Sequence, residues 1–262
     1  MAEFNKVLIV RHEKQSEKHE EATAKVIKIL NKLNKEISCV KCNELKDAHF
    51  KDKDLVIAIG GDGTFIQTSH FLNQTPILGI NSEPEVSEGA LSSLKGEEID
   101  FLDEILTGKY RIIQRPRVKV RKNGELIERH ALNEVYIGSE TQFHTSRYII
   151  KLNGNEEEHR SSGVLVVTGS GSNAWYKSAG GKPFHYAEKK LKFLTREPFV
   201  RRVFKPKILN GEIKEGEKII FESKRSTGGI IAIDSHLTYD FNIGDCIEIE
   251  LSNCPLNVIE RM

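Results

Sequence analysis

The sequence has almost no net charge. Its 262 residues carry 39 Lys plus Arg against 38 Asp plus Glu. A chain so balanced has no electrostatic footprint for DNA, RNA or an anionic membrane, so any anion it binds must be caught by a local device. Proline is scarce, at 7 residues, and 38% of the chain is hydrophobic. That composition builds ordinary cores and excludes a disordered chain. Cysteine is scarcer still, at positions 39, 42, 246 and 254, too sparse for a secreted disulfide scaffold. Cys39 and Cys42 form a C-x-x-C, but the segment Glu36–Cys42 alternates like a strand, and strand positions three apart point to opposite faces. No metal site is expected, and a reducing compartment fits. Long apolar runs are absent as well. Lys6–Val10 is met at once by Arg11 and His12, which reads as a strand and excludes a signal h-region or membrane span there.

What is present falls into two patterns. Up to about residue 112, strands alternate with helices. Lys6–Val10, Ile37–Val40, Leu55–Ile59 and Pro76–Ile80 read as strands, and the unbroken apolar run of the third fits a parallel sheet covered on both faces. Ser16 offers an N-cap to a helix whose apolar residues Ala22, Val26, Ile29, Leu30 and Leu33 follow the helical period. Glu97–Leu106 reads as a short amphipathic helix. This is a doubly wound, Rossmann-like α/β domain. From 113 to 245 the reading is β strands with Gly-rich turns, an all-β sandwich. Its strands are expected near 117–122, 126–138, 146–153, 163–168, 207–223, 229–233 and 247–251. Asn123-Gly124 marks a hairpin. Residues 246–262 are expected to return to the first domain.

The strongest local feature is Gly60-Gly61-Asp62-Gly63-Thr64, which follows a strand and opens a helix. In an open α/β sheet, ligands bind at the carboxyl ends of strands. Glycines let backbone N–H groups approach a phosphate, and a helix N-terminus adds partial positive charge. An acidic residue in such a loop needs another task, such as taking a proton from an attacking hydroxyl. The bland reading is a tight turn with Asp62 as a helix cap. His12 and Lys14 follow the first strand and carry no assignment.

Gly-Gly-Asp-Gly-Thr resembles the signature of a kinase superfamily spanning NAD kinases, 6-phosphofructokinases, diacylglycerol kinases and sphingosine kinases. Further stretches resemble NAD kinases in particular. Asn133-Glu134 is similar to the pair with which that family holds the NAD ribose and adenine. Thr168-Gly-Ser-Gly-Ser-Asn-Ala-Trp175 with Ser178-Ala-Gly-Gly181 resembles its Thr-Pro-Thr-Gly-Ser-Thr-Ala-Tyr and Ser-Ala-Gly-Gly runs, and Gly79-Ile-Asn81 its Gly-Val-Asn. These matches fall in order over roughly residues 55–181. The chain departs from the family at Ser162, where an Asp is usual, at Thr168-Gly169, which lacks the Pro, at Trp175 for Tyr, and after Asn81. The variant runs look most like the branch containing animal mitochondrial NAD kinases.

The resemblance implies an ATP:NAD 2′-phosphotransferase. Asp62 would be the catalytic base, with Gly60, Gly61, Gly63 and Thr64 binding phosphate. NAD contacts would come from Asp62, Gly63, Asn81, Asn133, Glu134, Thr168, Ser170, Ser172, Asn173, Ala174, Trp175 and Ser178. Asp234 and His236, at the end of a late apolar strand, are further candidates, with a turn-forming role open for both. Mg²⁺ would arrive with ATP, and no permanently bound cofactor is expected. Partners would be NAD and ATP, with no nucleic acid and no membrane. A homodimer or homotetramer is implied, in the cytoplasm, or in the mitochondrial matrix if the source is an animal. A non-catalytic NAD or NADP sensor and a lipid kinase sharing the loop remain as alternatives.

Overall fold

The computed structural model describes residues 4–13 and 16–262, so Lys14 lies outside the described residues. The chain opens with β1 (Lys6–Arg11), α1 (Glu17–Lys32), β2 (Glu36–Lys41), α2 (Asp47–Phe50), β3 (Leu55–Ile59), α3 (Asp62–Ser69), β4 (Ile77–Asn81), β5 (Leu94–Lys95), α4 (Leu102–Leu106) and β6 (Tyr110–Arg115). It continues through β7 (Val118–Lys122), β8 (Glu125–Leu126), β9 (Glu134–Ser139), β10 (Ser146–Leu152), β11 (Asn155–Ser161), β12 (Val164–Val167) and α5 (Trp175–Ser178). The last strands are β13 (Lys190–Thr195), β14 (Asn210–Lys214), β15 (Lys218–Ser223), β16 (Gly229–Ile233), β17 (Leu237–Asp240), β18 (Cys246–Leu251) and β19 (Leu256–Arg261). Two compact units result. One holds the chain up to Arg115 together with Leu256–Met262, the other Pro116–Pro255.

The first unit is an α/β sheet in the order β2-β1-β3-β4-β19-β6, with β5 paired to β4. β2, β1, β3 and β4 run parallel, as does β19 against β4, while β6 is antiparallel to β19. Every residue of β3 is buried, as expected of a strand with parallel neighbours and both faces covered. Ser16 Oγ accepts the His19 N–H at 3.1 Å and starts α1, and Ala22, Val26 and Leu30 bury its apolar stripe. Chain order reverses between β1 and β3, which makes their carboxyl ends the sheet's switch point. The segment read as a helix over 97–106 is a 3-10 turn, Gly96–Phe101, followed by α4.

The second unit packs two six-stranded antiparallel sheets, β11-β10-β15-β18-β7-β8 and β14-β13-β12-β9-β16-β17. Val120, Ile150 and Ile249 from one sheet and Ile137, Val166 and Phe193 from the other share one core. Asn123 and Gly124 both have positive φ, 52° and 83°, and close the β7–β8 hairpin as their sequence predicts. β11, β13 and β17 were not among the expected strands. β11 reads Asn-Glu-Glu-Glu-His-Arg-Ser on a sheet edge, where charge replaces apolar alternation. β18 pairs with β15 and β7, with Ile247 and Ile249 buried in the sandwich, so the segment that returns to the first unit starts at Leu256 rather than 246.

Candidate functional site

In the first unit, the chain leaves β3 through Gly60 and Gly61 and enters α3 at Asp62. The Gly60 N–H donates to the Ile80 carbonyl at 2.9 Å, and the His12 N–H to the Ile59 carbonyl at 3.1 Å, so β1 and β4 flank the turn. Gly60 has φ +150°, and a Cβ there would lie 2.6 Å from Thr64 Oγ1, so only glycine fits. Gly61 caps α3 without a side chain, and its carbonyl takes the Thr64 and Phe65 N–H groups at 3.1 and 3.3 Å. The N–H groups of Asp62 and Gly63, ahead of those two, have no carbonyl of the helix to donate to, and a helix start of this kind favours an anion. Gly63 is exposed, and a Cβ built there meets nothing within 4 Å.

Asp62 is half-buried at the first position of α3. Its carboxylate accepts the Ala90 N–H at 3.1 Å and the Leu91 N–H at 2.9 Å. A carboxylate offers about four acceptor sites, so capacity remains for a hydroxyl. Asn81 is buried at the end of β4, and its amide organises the following loop. Nδ2 donates to the Ser87 carbonyl at 2.8 Å and Oδ1 accepts the Glu83 N–H at 3.2 Å. Both amide atoms thus serve the loop. His19 is fully buried, with Nδ1 2.9 Å from Ser82 Oγ, and burial pushes its pKa down, which favours the neutral ring.

In the second unit, the residues around Asn133-Glu134 form a network. Asp234 lies just past β16, 4% exposed, with φ +49°. Its carboxylate accepts the Leu132 N–H at 2.7 Å, the Asn133 N–H at 2.8 Å and the Glu134 N–H at 3.0 Å. Thr168 Oγ1 donates to the Leu132 carbonyl at 2.5 Å, and the Thr168 N–H to the Asn133 carbonyl at 3.0 Å. The side chain of Glu134 is buried, and desolvation first, then the charge of Asp234, pushes it up to about 8 against a lowering bond from Ser235. Asn133 Oδ1 is buried with no hydrogen-bond partner.

The Gly-Ser-Gly-Ser run leans on this network. A Cβ on Gly171 would collide with the backbone of Asn133, so glycine lets the loop close against it. Ser172 is fully buried, donates to the Gly169 and Phe184 carbonyls at 2.8 and 3.1 Å, and accepts the Phe184 N–H at 3.1 Å. Ser170 is half-buried, while Asn173, Ala174 and Ser178 are exposed and the Ser178 hydroxyl donates back to the Ala174 carbonyl at 3.4 Å. Trp175 packs on Tyr136 with ring centroids 5.2 Å apart, and the Arg196 guanidinium lies 5.0 Å from its ring centroid. His236 is exposed in the β16–β17 turn.

The sequence reading grouped Asn81, Thr168 and Ser172 with ligand-contacting residues and left Asp234 open between a site and a turn-forming role, and the structure gives each an internal set of hydrogen bonds. Tyr136, Ala90, Leu91 and Arg117 were not singled out. Arg117 is 1% exposed, donates from Nε to the Cys254 carbonyl at 2.8 Å and from Nη2 to Cys254 Sγ at 3.1 Å, and feels the charge of Asp234. No sequence signal marks it, because its partners lie more than a hundred residues away. Among the described residues no group of three or more His, Cys, Asp or Glu could hold a metal ion, and no helix is long and apolar enough to cross a membrane.

The known proteins to which this chain is similar point to one family. The family model for the ATP-NAD kinase N-terminal domain matches residues 4–110. A protein of Oryza sativa subsp. japonica named "Probable NADH kinase" is 32% identical over 228 residues, 78% of this chain and 70% of its own length. An NADH kinase of Arabidopsis thaliana is 29% identical, covering 92% and 83% of the two chains. The fold is shared with an NAD kinase from Archaeoglobus fulgidus solved in complex with ATP, at TM-score 0.76 and 22% identity, over 97% of this chain and 94% of that one. With the Gly60–Thr64 turn at the switch point of an α/β sheet, and with the rice relative matched along most of both chains, this chain belongs to the NAD kinase family.

Proposed function

We propose that this chain transfers the γ-phosphoryl group of ATP to the 2′-hydroxyl of the adenosine ribose of NAD, giving NADP. The observation that carries the reading is the Gly60–Thr64 turn. It puts open backbone N–H groups and the Asp62 carboxylate at one helix start, with Asp62 fixed by two further N–H groups. Gly60, Gly61, Gly63 and Thr64 would hold phosphate by main chain and helix dipole. Asp62 would take the hydroxyl proton as the new O–P bond forms and the bond to the leaving ADP breaks. Asn133 and Glu134 would hold the nucleoside. For Asn81, Thr168, Ser172 and Asp234 the internal hydrogen bonds support shaping roles. Ser170, Asn173, Ala174 and Ser178 keep exposed atoms for a dinucleotide.

Mg²⁺ is bound by phosphates and water with few protein ligands. Among the described residues no cluster of carboxylates, His or Cys could hold an ion, which fits an ion carried in on the triphosphate, where it would neutralise charge. Members named NADH kinase among the relatives keep NADH open beside NAD as acceptor. A homodimer or homotetramer, and a cytoplasmic or, in an animal, mitochondrial matrix location, complete the proposal. The test is turnover of purified protein with Mg²⁺, ATP and either NAD or NADH, NADP(H) being read with a specific dehydrogenase. Product that falls about a hundred- to ten-thousand-fold in Asp62→Asn supports the reading. Dinucleotide binding without product, with ATP or polyphosphate as donor, would make the chain a sensor instead.

A further inference from the structure

The outer face of one sandwich sheet carries a row of cations. Tyr148 of β10, His159 and Ser161 of β11 and Ser223 of β15 are buried in the core, so the residues next to them point outward by strand alternation. Arg147 of β10 stands opposite Arg160 of β11. On its other side the Lys224 N–H donates to the Arg147 carbonyl at 2.9 Å, one step past the Tyr148–Ser223 pair, which sets Lys224 beside it. Arg160, Arg147 and Lys224 thus lie side by side across neighbouring strands, over about 10 Å. Arg225 follows, its guanidinium pinned through Nε to the Thr227 carbonyl at 3.0 Å and through Nη1 to the Thr145 carbonyl at 2.8 Å. Those two bonds fix its direction and leave further N–H donors open.

Like charges directly opposite one another destabilise a sheet, and none of these cations is in an ion pair among the described residues. Elsewhere on the sandwich Lys119, Lys122, Lys151, Lys190 and Lys218 each meet a carboxylate at 2.5–3.2 Å. The carboxylates next along the same face, Glu158 and Glu222, flank Ile149, and Glu222 is engaged by Lys151. Arg160 Nε is buried without a hydrogen-bond partner. Arg147, Lys224 and Arg225 line a concavity of about 390 Å³ that also takes in Phe143, 85% exposed, with the His144 ring edge-on to it at 4.7 Å.

We propose that this concavity is a second anion site, which takes the phosphate chain of a nucleoside triphosphate or of inorganic polyphosphate across Arg147, Lys224 and Arg225, with Arg160 at its end. The Gly60–Thr64 turn belongs to the other unit, so the site does not rest on the kinase reading. Guanidinium forks match phosphate oxygens in pairs, and a phosphate chain spreads its charge along the length of such a row. An exposed aromatic ring beside the cations favours the nucleotide, whose base would stack on it.

The experiment is calorimetric titration of the full chain with inorganic tripolyphosphate and, in parallel, with ATP, in wild type and in the double variant Arg147→Gln/Lys224→Gln. Both positions are exposed, and a melting temperature at or above wild type shows that the double variant is folded. Wild type is expected to bind one more tripolyphosphate per chain than the double variant, any event at the Gly60–Thr64 turn being common to both. A charge-assisted contact is worth about tenfold in Kd, so losing both weakens this event about a hundredfold. Lys224→Gln alone, expected to weaken it about tenfold, carries the test if the double variant melts lower. Tripolyphosphate is also expected to raise the melting temperature of wild type more than that of the double variant. Phe143→Ala tells the sources apart. Weaker ATP with unchanged tripolyphosphate assigns the site to a nucleotide, and no change in either assigns it to a bare phosphate chain. One event in wild type and none in the double variant would keep this site and count against phosphate binding at the turn. Equal stoichiometry and Kd in wild type and the variants would make the row a solvated basic face and overturn the proposal.

Discussion

Asp62 of the first unit and Asp234 of the second both accept backbone N–H groups, and beyond that they differ. Asp62 is half-buried, holds two N–H groups of a loop, and stands at the open start of a helix. Asp234 is buried, holds three N–H groups of one short stretch, and faces a buried guanidinium. One keeps free capacity for a substrate. The other spends its oxygens on the protein. The chemical device proposed for the first unit is local, because five consecutive residues make the turn, the helix start and the carboxylate proposed as base. The device of the second is assembled from residues about a hundred positions apart.

The sharpest way to break this contrast is to neutralise each aspartate. Asp62→Asn is expected to remove nearly all turnover while costing only about 1–2 kcal/mol, because the amide keeps the volume and one acceptor oxygen but turns its NH2 towards one of the two N–H groups. Asp234→Ala is expected to cost about 3–5 kcal/mol, since it orphans three N–H groups and leaves Arg117 buried without its opposing charge. Thermal and urea unfolding of both variants beside the turnover assay decides the point. An Asp62→Asn that loses stability as Asp234→Ala does would mean that both residues are structural.

This contrast also explains what the sequence made legible. β3, the Gly60–Thr64 turn and the Asn123-Gly124 hairpin depend on residues next to one another, so pattern and turn chemistry suffice. The internal roles of Thr168, Ser172 and Asp234 depend on pairings such as Asp234 with Leu132, which no local pattern contains. Trp175 was open to stacking on a base or to packing, with packing the favoured reading, and its contact with Tyr136 is what three-dimensional structure adds. β11 went unread because an edge strand of Glu and Asn has no apolar face to announce it.

A second prediction sets the titration of the sandwich unit apart. His130 Nδ1 lies 3.0 Å from Ser252 Oγ, and burial first, then the charges of Arg117 and Lys119, pushes its pKa down to about 4. A depressed folded-state pKa means that stability is full above the unfolded value and is lost as pH falls from about 6.5 towards 4, by on the order of 2–3 kcal/mol. Glu134 is raised instead, so its contribution is full below the ordinary carboxyl range and is lost as pH rises towards about 8. Urea unfolding between pH 4 and 9 is expected to show the acid slope in wild type and its loss in His130→Gln. An unchanged acid slope in that variant would assign it to other groups.

Two glycines carry the comparison to its finest point. At Gly171 an added methyl would collide with the Asn133 backbone, so Gly171→Ala is expected to cost about 1–3 kcal/mol by overpacking and to weaken NAD binding with it. At Gly63 a methyl meets nothing within 4 Å, φ is not positive, and the position lies in the first turn of α3. Ala there is expected to leave stability unchanged or raise it by about 0.4–1 kcal/mol, through the lower entropy of the unfolded chain. The same methyl would stand on the exposed face where the proposed phosphate contact with main-chain N–H groups would form, so KM for ATP is expected to rise several-fold. A Gly63→Ala protein with raised melting temperature and weakened ATP use would establish that the space before α3 is kept clear for the ligand. Unaltered ATP kinetics in that variant would move the phosphate contact to Gly60 and Gly61.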